Sequence, residues 1–426
     1  MLKDYIDLEY RPKDDDFVCE YHIEPAEGVT FEDACNHMAG ESSIDTWSDI
    51  STLSPELAEG LKPHVYYINE EQQTVRVAYK QDLFETGSVP QMLSAIAGNI
   101  FSMKLLDSLR FEDIAFPKDA IQRFKGPKFG MHGVRELIGV NDRPLVGTIV
   151  KPKVGLTSEQ HAEVAYNAFA GGCDLVKDDE NLTDQKFNRF EKRVELTLKA
   201  QSRAEAETGE KKMYMCNITA PTCEEMVRRA KVISDFGGTY VMIDIIPTGW
   251  TALQSLREAT GELGLVIHAH RCMHSAITRN PHHGVSMLVI AKLTRLIGLD
   301  QLHIGTVVGK MHGGRDEVLA IRDECVLEHV PANEALHVLV QDWGDIKPMF
   351  PVASGGLEPT MVPDLIRIFG KDAIMQFGGG IHAHPMGTTA GAKACRQSID
   401  AALSGVTLEE YAKTHIELKA ALETWR

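Results

Sequence analysis

Short apolar runs alternate with amphipathic helical stretches from about residue 144 onward. Eight of these runs have the length and composition of buried strands, and the stretches between them repeat their apolar positions with a helical period. We predict strands at residues 145–150, 173–176, 213–218, 240–245, 265–269, 301–304, 349–353 and 373–377. Helices are predicted at residues 159–170, 224–236, 285–297 and 361–369, among others.

Helix start signals support these boundaries. Thr157 with Gln160 and Thr222 with Glu225 have the spacing of capping boxes. The same spacing at Thr407 predicts the start of a final helix. Eight βα units over about 260 residues have the count and size of a closed (β/α)₈ (TIM) barrel, so we predict an α/β fold of this kind. A doubly wound sheet is the alternative, and glycine-rich loops after the last two strands favour the barrel.

The first part of the chain has a different pattern. Strand-like stretches at residues 17–23 and 74–79 are mixed with helical stretches at 30–38 and 89–97. This mixture predicts an N-terminal α+β domain over residues 1–125, followed by the barrel with C-terminal helices over 126–426. The glycine-, proline- and lysine-rich segment 124–130 is the expected boundary.

Composition and charge narrow the class of protein. The 426 residues are 43% hydrophobic, enough for a large core, and 61 acidic against 44 basic residues give a net charge of −17. This charge argues against a nucleic-acid or anionic-membrane partner. The N-terminus has no apolar signal segment, and no apolar run is long enough to span a bilayer. The eight cysteines are scattered without a Cys-x-x-Cys pair, so we expect reduced core residues of a cytoplasmic protein.

The segment from Lys177 to Glu180 is the most informative polar stretch, because an apolar strand runs directly into a lysine and three carboxylates. Period-two alternation puts Lys177 and Asp179 on one face and Asp178 on the other. The carboxylates of Asp179 and Glu180 are ligands that Mg²⁺ prefers. A protonated Lys177, however, would repel the cation. A neutral amine that reacts with CO₂ becomes a carbamate and a third anionic oxygen ligand. Taken alone, a salt-bridged strand end explains the segment equally well.

Basic side chains follow three other predicted strands. Active sites of such barrels lie at the C-terminal strand ends, so these side chains are expected to converge there. For each one taken singly, a solvated cation or a hydrogen-bonded core histidine is the ordinary explanation. Strand one is followed by Lys151 and Lys153, and strand five ends in the segment with His268, His270, Arg271 and His274. Strand six contains His303 and is followed by Lys310, which lies in a glycine-flanked loop that is a candidate lid.

Two glycine loops complete the predicted site. Ser354-Gly355-Gly356 follows strand seven, and Gly378-Gly379-Gly380 follows strand eight. Small residues let phosphate oxygens approach backbone N–H groups, whereas tight turns are the ordinary explanation for one such loop. Together with the cations, the loops predict a site for a ligand with two phosphates around a central metal.

These motifs resemble the large subunit of ribulose-1,5-bisphosphate carboxylase/oxygenase (RuBisCO), and the resemblance covers nearly the whole chain. In family order they are Lys-Pro-Lys-x-Gly from residue 151, Gly-Gly-x-Asp-x-x-Lys-Asp-Asp-Glu-Asn from 171, His-Arg-x-Met-His from 270, Gly-Thr-Val-Val-Gly-Lys from 305 and Gly-Gly-Gly from 378. In the first domain, residues 40–47 and 98–99 resemble segments that enter the neighbouring subunit's site. The length looks most like the archaeal form III branch.

The resemblance implies an enzyme, a carbon–carbon lyase acting on ribulose-1,5-bisphosphate and CO₂ with O₂ as a competing substrate. It implies Mg²⁺ as the cofactor, CO₂ as the activator that carbamylates Lys177, and a homodimer or an assembly of dimers, for which we expect no small subunit. The implied metal ligands are Lys177, Asp179 and Glu180. The implied catalytic residues are Lys151, Lys177, His270 and Lys310, and the implied substrate-binding residues are Glu41, Thr46, Trp47, Asn99, Lys153, Arg271, His303, Ser354, Gly355, Gly356, Gly379 and Gly380.

Departures and alternatives qualify these expectations. Ile149, Ile304 and His312 differ from the residues common in plant members of the family. The resemblance therefore implies the reaction but not the selectivity between CO₂ and O₂. A RuBisCO-like enolase or isomerase would keep the metal ligands but lose Lys310 or phosphate-site residues, all of which are present. A dinuclear zinc amidohydrolase would carry its His-x-His pair on strand one. A non-catalytic phosphosugar-binding protein would have lost the metal residues.

Overall fold

The computed structural model describes residues 4–46, 52–308 and 314–425. Its strands are β1 Asp16–Pro25, β2 His64–Asn69, β3 Thr74–Lys80, β4 Leu106–Ala115, β5 Leu145–Ile149, β6 Leu175–Lys177, β7 Met213–Asn217, β8 Tyr240–Asp244, β9 Val266–His270, β10 Gly284–Val285, β11 Gln301–Gly305, β12 His329–Val330, β13 Gln341–Asp342, β14 Phe350–Ser354 and β15 Ile374–Phe377.

The α-helices are α1 Phe31–Glu41, α2 Pro55–Leu61, α3 Val89–Ile96, α4 Lys118–Ile121, α5 Gly130–Ile138, α6 Ser158–Ala170, α7 Phe190–Thr208, α8 Cys223–Asp235, α9 Ile245–Thr248, α10 Trp250–Leu263, α11 Ser275–Thr278, α12 Met287–Ile297, α13 Arg315–Val326, α14 Val362–Phe369, α15 Gly379–His382, α16 Thr388–Leu403, α17 Leu408–Tyr411 and α18 Ile416–Thr424. Short 3-10 helices cover Gln81–Leu83, Asn99–Ser102, Glu334–Leu336 and Pro359–Met361. Among the described residues, no helix is both long and apolar enough to cross a membrane.

The chain divides into two compact units. Unit 1 comprises Met1–Gly126, Met273–Gly298 and Leu327–Ile346. Its main sheet has the strand order β10-β4-β1-β3-β2, and β1 pairs antiparallel with both β3 and β4. Helix α12 packs against β4, and all of its residues are buried. Its Lys292 Nζ donates a hydrogen bond to Asp113 Oδ2 at 2.7 Å, so the buried cation is paired.

Unit 2 comprises Pro127–Cys272, Leu299–Val326 and Lys347–Arg426, and it contains the closed eight-stranded barrel β11-β14-β15-β5-β6-β7-β8-β9. The strands are parallel and apolar on both faces, because helices cover the outside of the barrel. The first residues of seven strands form one core cluster with α5, namely Leu145, Leu175, Met213, Tyr240, Val266, Phe350 and Ile374. Apolar packing therefore concentrates at the N-terminal strand ends, and polar residues remain for the opposite ends.

The predicted fold class and all eight predicted barrel strands are confirmed, with ends that shift by up to two residues. The Thr157–Gln160 capping box is present, since each side chain bonds the other residue's backbone. At Thr222 the hydroxyl accepts from the Glu225 N–H, while the Glu225 carboxylate binds Arg228 and Arg229.

Two sequence expectations differ from the structure. Thr407 caps only the four-residue α17, and the last helix, α18, begins separately at Ile416, so the prediction of one final helix at Thr407 was wrong. The predicted helix 285–297 exists as α12, but it belongs to unit 1, because it packs against β4. The first boundary between the two units, between Gly126 and Pro127, falls inside the glycine- and proline-rich segment 124–130. Unit 1 also includes two segments from the later part of the chain, Met273–Gly298 and Leu327–Ile346.

Candidate active site

Lys177 ends strand β6 with its side chain 1% exposed. Its Nζ donates to the Asp178 backbone oxygen at 2.9 Å and lies 3.7 Å from Glu180 Oε2. Burial lowers the pKa of Lys177 from its ordinary value, and the neighbouring carboxylates oppose that shift. The amine is therefore biased toward the neutral form that can react as a nucleophile.

Asp179 lies next to the other predicted catalytic lysine. Lys151 Nζ donates to Asp179 Oδ2 at 2.9 Å, and the Asn181 side chain donates to Asp179 Oδ1 at 2.8 Å. Burial opposes ionisation of this carboxyl, but the hydrogen bonds from Asn181 and Lys151 hold its pKa below the usual range. Asp179 is therefore an anionic oxygen donor at neutral pH.

His270, at the end of β9, lies between two carboxylates. Its Nε2 is 3.6 Å from Glu180 Oε2, and its Nδ1 is 3.3 Å from Asp244 Oδ1. Burial and the charge of Lys177 lower the pKa of His270. A neutral imidazole so placed can accept a proton from a bound substrate.

A chain of buried hydrogen bonds joins three neighbouring strands. His268 Nδ1 lies 2.8 Å from Gln301 Oε1, and His268 Nε2 lies 2.8 Å from His303 Nε2. His303 Nδ1 lies 2.6 Å from Ser354 Oγ. Burial lowers the pKa of His268 to about 3 and that of His303 well below its ordinary value. Both rings are therefore neutral, and the chain holds Ser354 in a fixed position.

Arg271 extends over Gly305. A Cβ on Gly305 would lie only 2.8 Å from Arg271 Nη2, and Gly305 has φ +96°, so this position favours glycine for both space and backbone conformation. Burial lowers the pKa of Arg271 to about 10. The guanidinium still carries its charge at neutral pH and is a candidate partner for a phosphate.

The two glycine loops follow β14 and β15, which are neighbouring strands of the barrel. Gly355 has φ +121°, and a Cβ on Gly380 would lie 2.3 Å from the Leu357 backbone oxygen, so neither loop accepts larger residues there. A Cβ on Gly379 would meet no atom within 4 Å, which leaves its backbone approachable. A Cβ on Gly378 would lie 3.8 Å from Lys151 Cε. The loop after β15 and Lys151 are therefore neighbours.

Six further residues are predicted from the sequence to belong to the site. In unit 1, the Asn99 side chain donates to Glu41 Oε1 at 3.5 Å, and Thr46 is exposed. Lys153 in unit 2 is exposed. Trp47 and Lys310 lie outside the described residues.

Asp178 points to the other side of β6, as the alternation predicts. It accepts hydrogen bonds from Tyr214 Oη at 2.5 Å, Arg193 Nε at 3.1 Å and the Asn217 backbone N–H at 3.0 Å, and His161 Nε2 lies 3.1 Å away. Burial opposes its ionisation, but the Arg193 charge is the main cause that lowers its pKa below the ordinary value. This cluster anchors the strand end that carries Lys177 and Asp179.

Sequence reasoning missed two residues of the barrel mouth. Asn217, the last residue of β7, donates to Asp244 Oδ2 at 3.2 Å and to the Glu180 backbone oxygen at 3.2 Å. Asp244, the last residue of β8, also accepts from Thr219 Oγ1 at 3.1 Å. Polar residues at the C-terminal ends of barrel strands face the site, and this rule applies to β7 and β8 as well. Applied there, it would have identified both residues.

The donor set fits a hard divalent cation. Asp179 and Glu180 offer carboxylate oxygens, and the buried amine of Lys177 reaches Glu180 only at 3.7 Å. Mg²⁺ prefers such oxygen ligands. Conversion of the amine to a carbamate would add a third oxygen on the same side.

Similarity to known proteins covers the whole chain. A family model described as "Ribulose bisphosphate carboxylase large chain, catalytic domain" matches residues 130–425, and one for the N-terminal domain of that chain matches residues 4–120. The protein named ribulose bisphosphate carboxylase of Methanosarcina acetivorans is 73% identical over 425 residues, which cover 100% of this chain and 99% of that protein. The protein of that name from Methanocaldococcus jannaschii is 51% identical over 99% of this chain and 100% of its own.

Solved structures agree. The octameric RuBisCO of Pyrococcus horikoshii, crystallised with sulfate, has a TM-score of 0.91 at 49% identity and covers 99% of this chain and 96% of its own. The dimeric archaeal RuBisCO of Hyperthermus butylicus has a TM-score of 0.93 at 46% identity, with coverage of 99% and 98%.

Proposed function

The chain belongs to the ribulose bisphosphate carboxylase large-chain family, and from that premise we propose that it converts ribulose-1,5-bisphosphate, CO₂ and water into two molecules of 3-phosphoglycerate. The substrate is enolised by removal of the C3 proton. CO₂ forms a bond to C2, water adds at C3, and the C2–C3 bond breaks, with a proton returned to the C2 carbanion. The enzyme is thus a carbon–carbon lyase, and O₂ in place of CO₂ gives an oxygenase side reaction.

The observation that carries this proposal is the buried Lys177 amine beside Glu180 and Asp179. Its lowered pKa favours attack of the neutral amine on CO₂, which forms an N–C bond and releases a proton. The carbamate, Asp179 and Glu180 would then hold Mg²⁺. When bound, Mg²⁺ stabilises negative charge on substrate oxygens, a contribution of several kcal/mol.

The surrounding residues take the proton-transfer and binding roles. Lys151 would protonate the final carbanion, since its ammonium lies 2.9 Å from Asp179 at the mouth of the metal site. The neutral His270 would handle the proton near C3. Lys310 would polarise CO₂, with Glu41 as its partner.

We assign the remaining residues to substrate binding. Arg271, His303 and Ser354 would hold one phosphate and sugar hydroxyls, supported by the chain that fixes Ser354 against His303. Lys153 supports Lys151, and Asn99 orients the substrate. The other phosphate would bind at Thr46, Trp47, Gly355, Gly356, Gly379 and Gly380.

Incubation with ribulose-1,5-bisphosphate, Mg²⁺ and labelled CO₂ tests the reaction. We expect labelled 3-phosphoglycerate, and a higher initial rate after preincubation with CO₂ and Mg²⁺. The Lys177→Arg variant is the control, because arginine cannot form the carbamate. Absence of labelled product from the wild type, or full activity in the variant, would contradict the proposal.

We further propose that two chains build each site and that the protein is cytoplasmic, in keeping with eight free cysteines, six of them buried. Glu41, Thr46, Trp47 and Asn99 lie in the N-terminal part and would serve a partner's barrel in a two-fold dimer. Co-expression of Glu41→Gln with Lys177→Ala should restore up to about a quarter of wild-type activity if subunits pair at random, because a hybrid has one native site. Hybrids as inactive as either parent would show that one chain builds each site.

A further inference from the structure

We propose that His22, Glu24 and His282 of unit 1 form a binding site for a transition-metal cation of the zinc type, separate from the proposed magnesium ligands. His22 and Glu24 stand two residues apart on β1, so the pleat places both side chains on one face of the sheet. His282 reaches them from the loop before β10. The three residues each offer one ligand atom, and these atoms lie within 4.8 Å of one another.

The ligand types select the class of cation. Two imidazoles and one carboxylate suit zinc, nickel or cobalt, whereas magnesium prefers oxygen alone. Glu24 Oε1 lies 3.2 Å from His22 Nε2 and 2.5 Å from His282 Nδ1. Ligand atoms of a tetrahedral zinc site lie about 3.3 Å apart, given bonds of about 2.0–2.1 Å. A side-chain shift of under about 1 Å at His282 would therefore open the cluster to the ion.

The backbone around His282 is held in place before any ion binds. Ser108 Oγ donates to the His282 backbone oxygen at 2.6 Å, and the His282 N–H donates to Asn280 Oδ1 at 2.9 Å. Arg110 Nη1 donates to the Thr278 backbone oxygen at 3.0 Å and also to that of Asn280. Strand β10 then pairs with β4 two residues later. The third ligand is thus presented by a loop pinned to the same sheet as the other two.

The competing explanation is an ion pair between Glu24 and protonated histidines. The hydrogen bond from His22 is the main cause of a lowered pKa at Glu24, so the carboxylate is charged at neutral pH in either case. A metal ion, unlike a proton, would need both imidazole nitrogens at once and would leave an open fourth position on the exposed side, where the His282 side chain is 56% exposed. Binding would join β1 to the loop before β10 and stabilise unit 1.

Equilibrium dialysis of the full chain against Zn²⁺, in excess Mg²⁺, tests the site. We compare wild type with His282→Asn, which keeps the backbone contacts, and with His329→Asn, an exposed histidine of unit 1 outside the cluster. Wild type and His329→Asn should each bind one more Zn²⁺ per chain than His282→Asn does. If His282→Asn still binds this ion, its affinity should be at least about tenfold weaker than that of the other two proteins. Zinc held by Asp244, His270 and Cys272 would be common to all three proteins.

Thermal unfolding with Zn²⁺ and then with a chelator gives a second measurement. Zn²⁺ should raise the Tm of wild type and His329→Asn more than that of His282→Asn, and the chelator should remove the difference. Glu24→Gln, which removes the anionic ligand but keeps a hydrogen-bonding oxygen, should behave like His282→Asn. Equal zinc stoichiometry, affinity and Tm shift in all four proteins would overturn the proposal, as would the absence of zinc binding by the wild type.

Discussion

Two carboxylates near the end of strand β6, Asp178 behind it and Glu180 in front, differ in how closely they are hydrogen-bonded. Behind the strand, Asp178 accepts from Tyr214, Arg193 and the Asn217 backbone, all within 3.1 Å. In front, the Lys177 amine lies 3.7 Å from Glu180, and Glu180 lies 3.6 Å from His270. Two residues of separation along the chain thus divide Asp178, which accepts several short hydrogen bonds, from Glu180, whose contacts with Lys177 and His270 are longer.

This difference indicates which cluster is available for chemistry. A buried carboxylate with several short donors is held in place and would lose contacts by binding anything else. Glu180, whose contacts are longer, keeps lone pairs for a metal or substrate, and its position depends on the packed cluster behind the strand. We therefore expect changes in front to remove activity and changes behind to remove stability.

The largest effect is expected from Lys177→Met. Methionine keeps the length of the side chain but cannot form a carbamate, so carboxylation should fall by at least about 10³-fold, the rate equivalent of several kcal/mol. The free energy of unfolding should change by less than about 1.5 kcal/mol, because a similar volume is kept and no buried amine remains. Product assay and urea unfolding measure the two quantities; a stable variant with wild-type activity would refute the metal-ligand role.

Lys151→Met should lower kcat by about 10²- to 10⁴-fold, the usual contribution of a positioned acid or base. Its KM for ribulose-1,5-bisphosphate should change little, since the proposed role of Lys151, beside Asp179, is proton transfer rather than phosphate binding. Steady-state kinetics at saturating Mg²⁺ separates the two parameters. A raised KM with an unchanged kcat would mean that Lys151 serves binding alone.

Behind the strand, Asp178→Asn should lower the free energy of unfolding by about 3 kcal/mol, because Arg193 is left buried without its carboxylate. Glu195→Gln is the matched control on the same helix, since its pair with Lys199 is exposed and should contribute less than about 0.5 kcal/mol. Urea unfolding of both variants at neutral pH is the measurement. Equal losses in the two variants would mean that the cluster behind β6 is no more important to folding than the surface.

Much of this arrangement was predictable from the sequence. The eight barrel strands were found because each is a short apolar run with turn or capping signals beside it. The opposite directions of Lys177 and Asp178 follow from the two-residue period of a strand. Family motifs then supplied the roles of residues such as Lys310, which local patterns describe only as a cation in a glycine-flanked loop.

Other features depend on contacts between residues far apart in the chain. The partners of Asp178 come from α6, α7 and β7, and no local signal indicates that Arg193 turns inward rather than to solvent. Helix α12 has the apolar period of a barrel helix, yet it packs on β4, more than 170 residues away in sequence, through the Lys292–Asp113 pair. The short α17 shows that a capping residue starts a helix without determining its length.

A further prediction concerns another buried carboxylate, Asp300, which accepts hydrogen bonds from the backbone N–H groups of Phe129, Gly130 and Ile267. Burial raises its pKa above the ordinary 3.8, in contrast to Asp178, because the hydrogen bonds only partly offset the loss of water. A raised pKa means that the folded state holds the proton more tightly than the unfolded state. The resulting stabilisation is therefore fully present below pH 3.8 and is lost as the pH rises through the folded pKa.

Wild type should therefore gain stability relative to Asp300→Asn as the pH is lowered from 7 toward 4, by at most about 1.4 kcal/mol per pH unit. Urea unfolding of both proteins at several pH values gives the difference between their free energies of unfolding. Contributions from groups that titrate alike in both proteins cancel in this difference. The comparison with Asp178 would fail if the difference were flat or fell with decreasing pH. In that case the backbone amides and the charge of Arg257 would stabilise a buried carboxylate as well as Arg193 does. The contrast between the two aspartates would then have no basis in their partners.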